Sequence, residues 1–296
     1  MRVNPDINTS LLLALDRANE NQQKILNQLS SGLRIQTPSD DPAGAAALVE
    51  VQSQDATNQQ YVSNANAMQT QMQAADSALN SVGLALQRAI TLGVEGASTA
   101  TLSDSDRSAI ANELSGIKDQ LEQLANSSLQ GVYLFGGTST GTAPFVADDS
   151  SASGITYQGN AKINQVEIGQ NYWISANVPG STIFGDASTG VFKAISDLIS
   201  AVQSNTGVGD ATDEVSTAMK QVSASRVQYG NAMNQLTSSQ GILSDVHVQL
   251  QQQINSLSAT DVAQAASDLV TAETSRNAIL QVIAKTNGMS LFDYLH

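Results

Sequence analysis

The chain contains no cysteine in its 296 residues, which excludes disulfides, thiolate nucleophiles and cysteine-bound metal together. Charge is also scarce: charged residues make up 14% of the chain, against roughly 25% in soluble globular domains. Basic residues are the scarcest, 13 against 27 acidic for a net charge of −14, and none lies between Ile35 and Gln87. Recognition of nucleic acid or of an anionic membrane needs clustered cations, so neither partner is expected. No apolar run approaches the ~20 residues of a membrane span. The run Leu11–Leu15 is too short for a secretory h-region and is followed at once by Asp16 and Arg17. We therefore expect no membrane insertion and no cleaved signal peptide.

Ser, Thr, Asn, Gln and Ala stand where Lys and Glu would coat a helical monomer. Helices with small and amide side chains outside suggest faces that meet other protein. The plainer alternative is an ordinary soluble helical protein with an unusual palette.

The apolar residues follow alternating steps of four and three. Leu11, Leu15, Ala18, Gln22, Ile25, Leu29 and Gly32 form one seam, and Ala65, Met68, Met72, Ala75, Leu79, Val82, Leu86 and Ala89 a second. Ile110, Leu114, Ile117, Leu121 and Leu124 make a third. The longest runs from Val215 to Leu257, and the last takes in Val262, Ala265, Leu269, Ala272, Arg276, Ile279 and Ile283. A step averaging 3.5 keeps one stripe facing a partner helix. The fold class expected is mainly α, an elongated rod of long coiled-coil-like helices; a helix from about Ala43 to Gly96 alone would span roughly 80 Å. Ser103 with Asp106, and Ser258 with Asp261, read as capping boxes, and Asp210–Asp213 as the opening of the helix before Val215.

One insert differs. Seven of the chain's twelve aromatics lie within 132–190, from Tyr133 to Phe184, with Phe192 just past the edge. Tyr172, Ile174, Ala176 and Val178 alternate with Asn171, Trp173, Ser175 and Asn177, the period of a strand. Gly159-Asn160, between ITYQ and AKINQVEI, reads as a hairpin turn. A small β-rich module with its own core is expected there, with helical heptads resuming at Val191, Ile195, Leu198 and Val202.

Catalytic chemistry finds little material. Of the two histidines, His247 falls on the long seam between Leu243 and Leu250, where a buried polar residue fixing helix register is the favoured reading; His296 is the other. Asp40-Asp41 and Asp148-Asp149 sit in turn sequence and read as solvated turn carboxylates. The segment FGGTS at 135–139 lacks the Lys of a phosphate loop, and the seam methionines read as gap-fillers. No enzyme, no cofactor and no metal site is expected.

Residues 29–44, LSSGLRIQTPSDDPAG, break the helical pattern between two long segments. Pro38 and Pro42 disfavour helix at Thr37 and Asp41, Gly32 permits a left-handed helix end, and Ser39 or Asp40 is placed to cap the next helix. The stretch resembles the signature shared by bacterial flagellins and hook–filament junction proteins, a helix ending in LSSG-(L/K)-RI followed by a DD-(P/A)-A(A/G) turn. INTSLLLALDRANENQQKILNQLSSG near the start and AQAASDLVTAETSRNAILQVIAKTN near the end are similar to the same family. TPSDDP, QGVYLFGGTSTGTAPF and the closing SLFDYLH resemble the junction proteins, whereas the N-terminal helix stands nearer to flagellin.

The resemblance implies a terminal coiled-coil domain (1–38 with 258–296), a helical rod domain (39–131 with 191–257) and an inserted β-rich domain (132–190). It implies a structural role joining hook to filament, with a short flagellin, or an intracellular coiled-coil adaptor, as the alternatives. Its assembly seams would be Leu11, Leu15, Ile25 and Leu29 on the first helix and Leu269, Ile279 and Ile283 on the last. Its signature turn would be Gly32, Pro38, Asp40, Asp41 and Pro42. Implied partners are copies of itself, a hook-side junction protein, flagellin, and a cytoplasmic export chaperone on the C-terminal helix. The implied location is the extracellular flagellum.

Overall fold

The computed structural model describes residues 5–98 and 102–292. The last four residues of SLFDYLH, including His296, lie outside them. The order is α1 (Pro5–Ser31), α2 (Pro42–Gly96), α3 (Asp104–Ala125), β1 (Ser128–Leu129), β2 (Val132–Tyr133), β3 (Phe145–Ala147), β4 (Ile155–Tyr157), β5 (Gln165–Gly169), β6 (Tyr172–Ser175), α4 (Gly180–Phe184), α5 (Val191–Ser204), α6 (Val208–Ser258) and α7 (Val262–Phe292). The fold is mainly α with small antiparallel sheets in and directly before the insert, as the heptads and the aromatic-rich segment predict. Two compact units divide the chain, 1–57 with 246–296 and 58–245, and the boundary falls inside α2 and α6.

In the larger unit the seams are the core. Ala65, Met68, Met72, Ala75, Leu79, Val82, Leu86 and Ala89 of α2 are all buried, as are Ile110, Leu114, Ile117 and Leu121 of α3. On α6 the buried positions Val215, Val222, Tyr229, Leu236 and Leu243 recur every seven residues. Polar residues on that seam find partners across the packing: Arg226 Nε donates to Asp76 at 3.0 Å, and Gln240 Nε2 to Asn66 at 2.9 Å. A seven-residue repeat tolerates such positions when each polar group is satisfied.

The insert departs from expectation in two ways. Strand β4 (ITY) pairs upstream with β3, Phe145 opposite Tyr157, and β5 pairs with β6, Val166 opposite Ile174. Gly159-Asn160 therefore closes no hairpin. Instead Asn160 Oδ1 accepts from the amides of Thr138 (3.0 Å) and Lys162 (3.0 Å), clamping the FGGTS loop. A Cβ on Gly137, at φ +71°, would collide with the Asn160 carbonyl, so this loop requires glycine there. Second, the insert has no core of its own. Phe135, Phe145, Phe184 and Phe192 form one continuous buried cluster with Leu114, Leu121, Ile195, Leu198 and the α2 and α6 seams. Tyr229 of α6 accepts from the Val178 amide at 3.1 Å, its burial raising the phenol to about 12.

Helix starts also shift. Ser103 and Asp106 make the expected reciprocal capping box. Helix α6 opens at Val208, earlier than Asp210, because Gly207 (φ +70°) turns the chain directly before it. Asp261 is itself the cap of α7, accepting from Ala263 and Gln264 amides at 2.9 and 3.1 Å. Ser258 belongs to the end of α6, its hydroxyl turned back to the Ile254 carbonyl at 2.6 Å.

Candidate functional site: the terminal helix pair and its junction

The smaller unit is built on α1 and α7. Ile25 of α1 and Ala265 and Ala272 of α7 are buried against one another, with Leu29 and Leu269 packed on the edge. Arg276 Nε donates to Asn19 across the pair at 2.8 Å. Leu11, Leu15, Ile279 and Ile283 lie on the same stripes and are half-buried. The seam thus holds the two terminal helices to each other. Their other faces carry exposed apolar residues: Leu12 (56%), Leu13 (54%) and Leu26 on α1, and Val270 (63%), Leu280 and Val282 on α7.

The backbone of the junction follows from the sequence. Gly32, at φ +72°, ends α1 and its amide returns to the Gln28 carbonyl at 2.9 Å. Thr37 to Asp40 form a β-turn with Pro38 at its second position, closed by the Asp40 amide on the Thr37 carbonyl at 3.0 Å. Helix α2 starts at Pro42, a residue preorganised for the first helical position, so its cap falls on Asp41. Asp41 Oδ1 accepts from the Gly44 amide at 2.9 Å. The expectation that Ser39 or Asp40 would cap α2 is corrected accordingly. Asp40 instead accepts from the Thr37 and Gln36 amides at 2.9 and 3.1 Å and pairs with Lys24 of α1 at 3.0 Å.

These bonds set the electrostatics. The Thr37 amide, then Lys24, hold the Asp40 carboxyl well below the usual carboxylate range. The Gly44 amide, then Arg34, lower Asp41 below its ordinary value of 3.8. A depressed folded value means that each carboxylate's contribution is present above the unfolded value and is lost as pH falls through the folded one. The Gly44 amide resonance should therefore titrate with a midpoint below 3.8. A midpoint at or above that value would contradict the cap.

Three residues of the motif were not singled out from sequence. Ile35 is buried in the junction. Gly44 leaves room for its neighbours: a Cβ there would strike the Asp41 carboxylate and come within 2.7 Å of Ile35 Cδ1, so both side chains would have to shift. Arg34 Nη2 donates to the Leu257 carbonyl in the last turn of α6 at 2.9 Å. For Gly44 a signal existed: glycine in the first turn of a long helix is unfavourable by roughly 1 kcal/mol against alanine, so a steric reason was to be sought.

His247 and the other polar candidates find structural partners. His247 Nδ1 lies 2.6 Å from Asp55 Oδ1, and Gln251 Nε2 donates to Asp55 Oδ2 at 2.9 Å. The buried member is Asp55, while the His247 side chain is 41% exposed. Asp148 closes its own turn, accepting from the Ser150 amide (3.0 Å) and Thr156 hydroxyl (2.7 Å). Among the described residues no group of three or more acidic, His or Cys side chains is placed to hold a metal, and no helix is long and apolar enough to cross a membrane.

The fold is that of a protein of long heptad helices whose first and last helices pair with each other, with a small β-bearing insert. Residues 7–140 match the bacterial flagellin N-terminal helical region. The chain is 28% identical over 291 residues to flagellar hook-associated protein 3 of Escherichia coli, covering 90% of each. To the protein of that name from Salmonella typhimurium it is 27% identical over 295 residues, covering 91% of each. A solved flagellar hook-associated protein from Vibrio parahaemolyticus shares the fold, with a TM-score of 0.68 at 22% identity over 74% of this chain and 100% of that one. The flagellin match thus takes in the first part of the chain, and the likeness that runs along nearly its whole length is to flagellar hook-associated protein 3.

Proposed function

We propose that this chain is a structural protein of the bacterial flagellum that joins hook to filament by axial packing of its terminal helices. The observation that carries the reading is the pair α1 and α7: their seams are satisfied within the chain, yet Leu12, Leu13, Leu26, Val270 and Val282 remain on the outer faces. Apolar residues left exposed on paired helices are suited to neighbouring helices, either of other copies or of the flanking flagellar proteins. The likeness to flagellar hook-associated protein 3 of two bacteria supports the flagellar setting.

In this reading 1–38 with 258–296 form the inner axial domain, 39–131 with 191–257 the helical body and 132–190 the inserted domain. The assembly seams Leu11, Leu15, Ile25, Leu29, Leu269, Ile279 and Ile283 order the axial pair, and Gly32, Pro38, Asp40, Asp41 and Pro42 form the turn that sets it off. A hook-side junction protein and flagellin are the partners, together with an export chaperone holding the C-terminal helix before assembly. The protein acts outside the cell and catalyses nothing.

A short flagellin is the second reading, favoured by the flagellin match over 7–140. An adaptor needs two unlike axial contacts, whereas a filament subunit needs its top to match its own bottom. Concentrated purified protein incubated with sheared flagellar fragments separates the two by electron microscopy. Decoration limited to fragment ends is expected; long fibres made of this chain alone would make it a flagellin.

A further inference from the structure

The chain breaks twice at one level. Residues 32–41 separate α1 from α2, and residues 259–261 separate α6 from α7. The two breaks are stitched together as a short antiparallel ladder. Leu33 bridges Ala259, the Arg34 amide donates to the Ser258 carbonyl at 2.7 Å, and the Thr260 amide donates to the Gly32 carbonyl at 2.9 Å. The last carbonyls of a helix have no partner within it, so the end of α6 is finished by residues more than two hundred positions away in the sequence.

Arg34 is the centre of this arrangement. Its Nη2 donates to the Leu257 carbonyl at 2.9 Å, and its Nη1 pairs with Asp41 Oδ2 at 3.1 Å, the same carboxylate that caps α2. Its own carbonyl accepts from Gln28 Nε2 of the last turn of α1 at 2.9 Å. One residue therefore bonds the end of α1, the start of α2 and the end of α6, and the next ladder bond carries the connection into α7. Only Ile35 adds a buried apolar group at the junction. The joint is held chiefly by directional polar contacts, a kind that opens locally at lower cost than a packed core.

We propose that Arg34 is a latch that makes the two breaks a single joint, so that the connections before α2 and after α6 close or open together. The planar fork of guanidinium presents two separate nitrogens to acceptors on different elements, where lysine offers one. With the latch closed, α1 and α7 are positioned as a pair from one joint. With it open, both connections lose their order in the same event. This goes beyond the flagellar reading and does not depend on it.

The test is amide exchange on the intact chain, followed at Thr260 and at Gly44. In the wild type both amides should exchange at the rate of one shared opening. In Arg34→Ala both should accelerate together by about tenfold or more, the scale of a lost charge-assisted hydrogen bond. Leu114, inside the larger unit, should not change. Acceleration at Gly44 alone would overturn the proposal, because Arg34 would then serve only the α2 cap. Should Arg34→Ala lower helix content broadly, a Leu33→Cys/Ala259→Cys pair in that background decides the matter. Bridged antiparallel residues have the ~5 Å Cα spacing a disulfide needs, and the chain has no other cysteine. Oxidation holds the 33–259 bridge without Arg34, so Thr260 should return to slow exchange while Gly44 stays fast. If Gly44 slows as well, the ladder alone couples the two connections and Arg34 is no latch.

Discussion

Phe145→Ala should melt the β-rich insert and the surrounding helices together, in one transition, rather than releasing the insert from an intact helical body. Phe145 is 2% exposed. Its ring lies 5.0 Å from that of Tyr157, 5.2 Å from Phe184 and 5.3 Å from Phe192, centroid to centroid. Those neighbours come from β4, α4 and α5, so the ring ties three elements at one point. Asn126, just past α3, adds a fourth: its Oδ1 accepts from the Phe145 amide at 2.9 Å and its Nδ2 donates to the Phe145 carbonyl at 2.7 Å. Truncation of a buried phenylalanine costs about 3–5 kcal/mol, or on the order of 10 °C in melting temperature for a unit of this size. Calorimetry is the measurement. Two separated transitions would mean that the insert folds on its own after all.

The contrast with the sequence reading is physical. Helical seams were legible because burial repeats along the chain: Leu79, Leu86, Leu114 and Leu121 announce their faces through neighbours three and four positions away. The break at LSSGLRIQTPSDDPAG was legible for the same reason, since Gly32 and Pro38 act on their own backbone. Strand pairing in the insert was not, because pairing is a contact between segments. ITYQ carries no local mark telling whether it pairs upstream or downstream, and the Gly159-Asn160 turn looked like a hairpin while Asn160 served as a clamp. Nor could the insert's shared core be foreseen. Seven aromatics in one segment suggest a private core, but three small two-stranded sheets bury too little by themselves. The helices α3, α5 and α6 supply the other side. Arg34 is the extreme case: its fork reads as an ordinary surface cation until Leu257, 223 residues on, arrives beside it.

Ile25→Asp and Leu13→Asp should both abolish incorporation into flagella, yet only the first should disturb the free chain. Ile25 is 7% exposed and sits against Ala265 and Ala272. A carboxylate there is taken largely out of water against two alanines, and an unpaired buried charge costs several kcal/mol. Alanine on the facing helix leaves no flexible side chain to give way. The free variant should lose amide protection along α1 and α7 while Leu114 and Leu121, in the other unit, keep theirs. Leu13 is 54% exposed on the outer side of the same helix. In the isolated chain its replacement should change stability by no more than ~0.5 kcal/mol, with protection of α1 intact. In an assembly where that face meets a neighbour, however, the same carboxylate would be desolvated against apolar side chains, and incorporation should fail. The pair thus separates what holds α1 to α7 from what the two helices offer to other protein. Normal incorporation of Leu13→Asp would mean that the outer stripe stays in water, and the axial packing proposed for these helices would have to use another face.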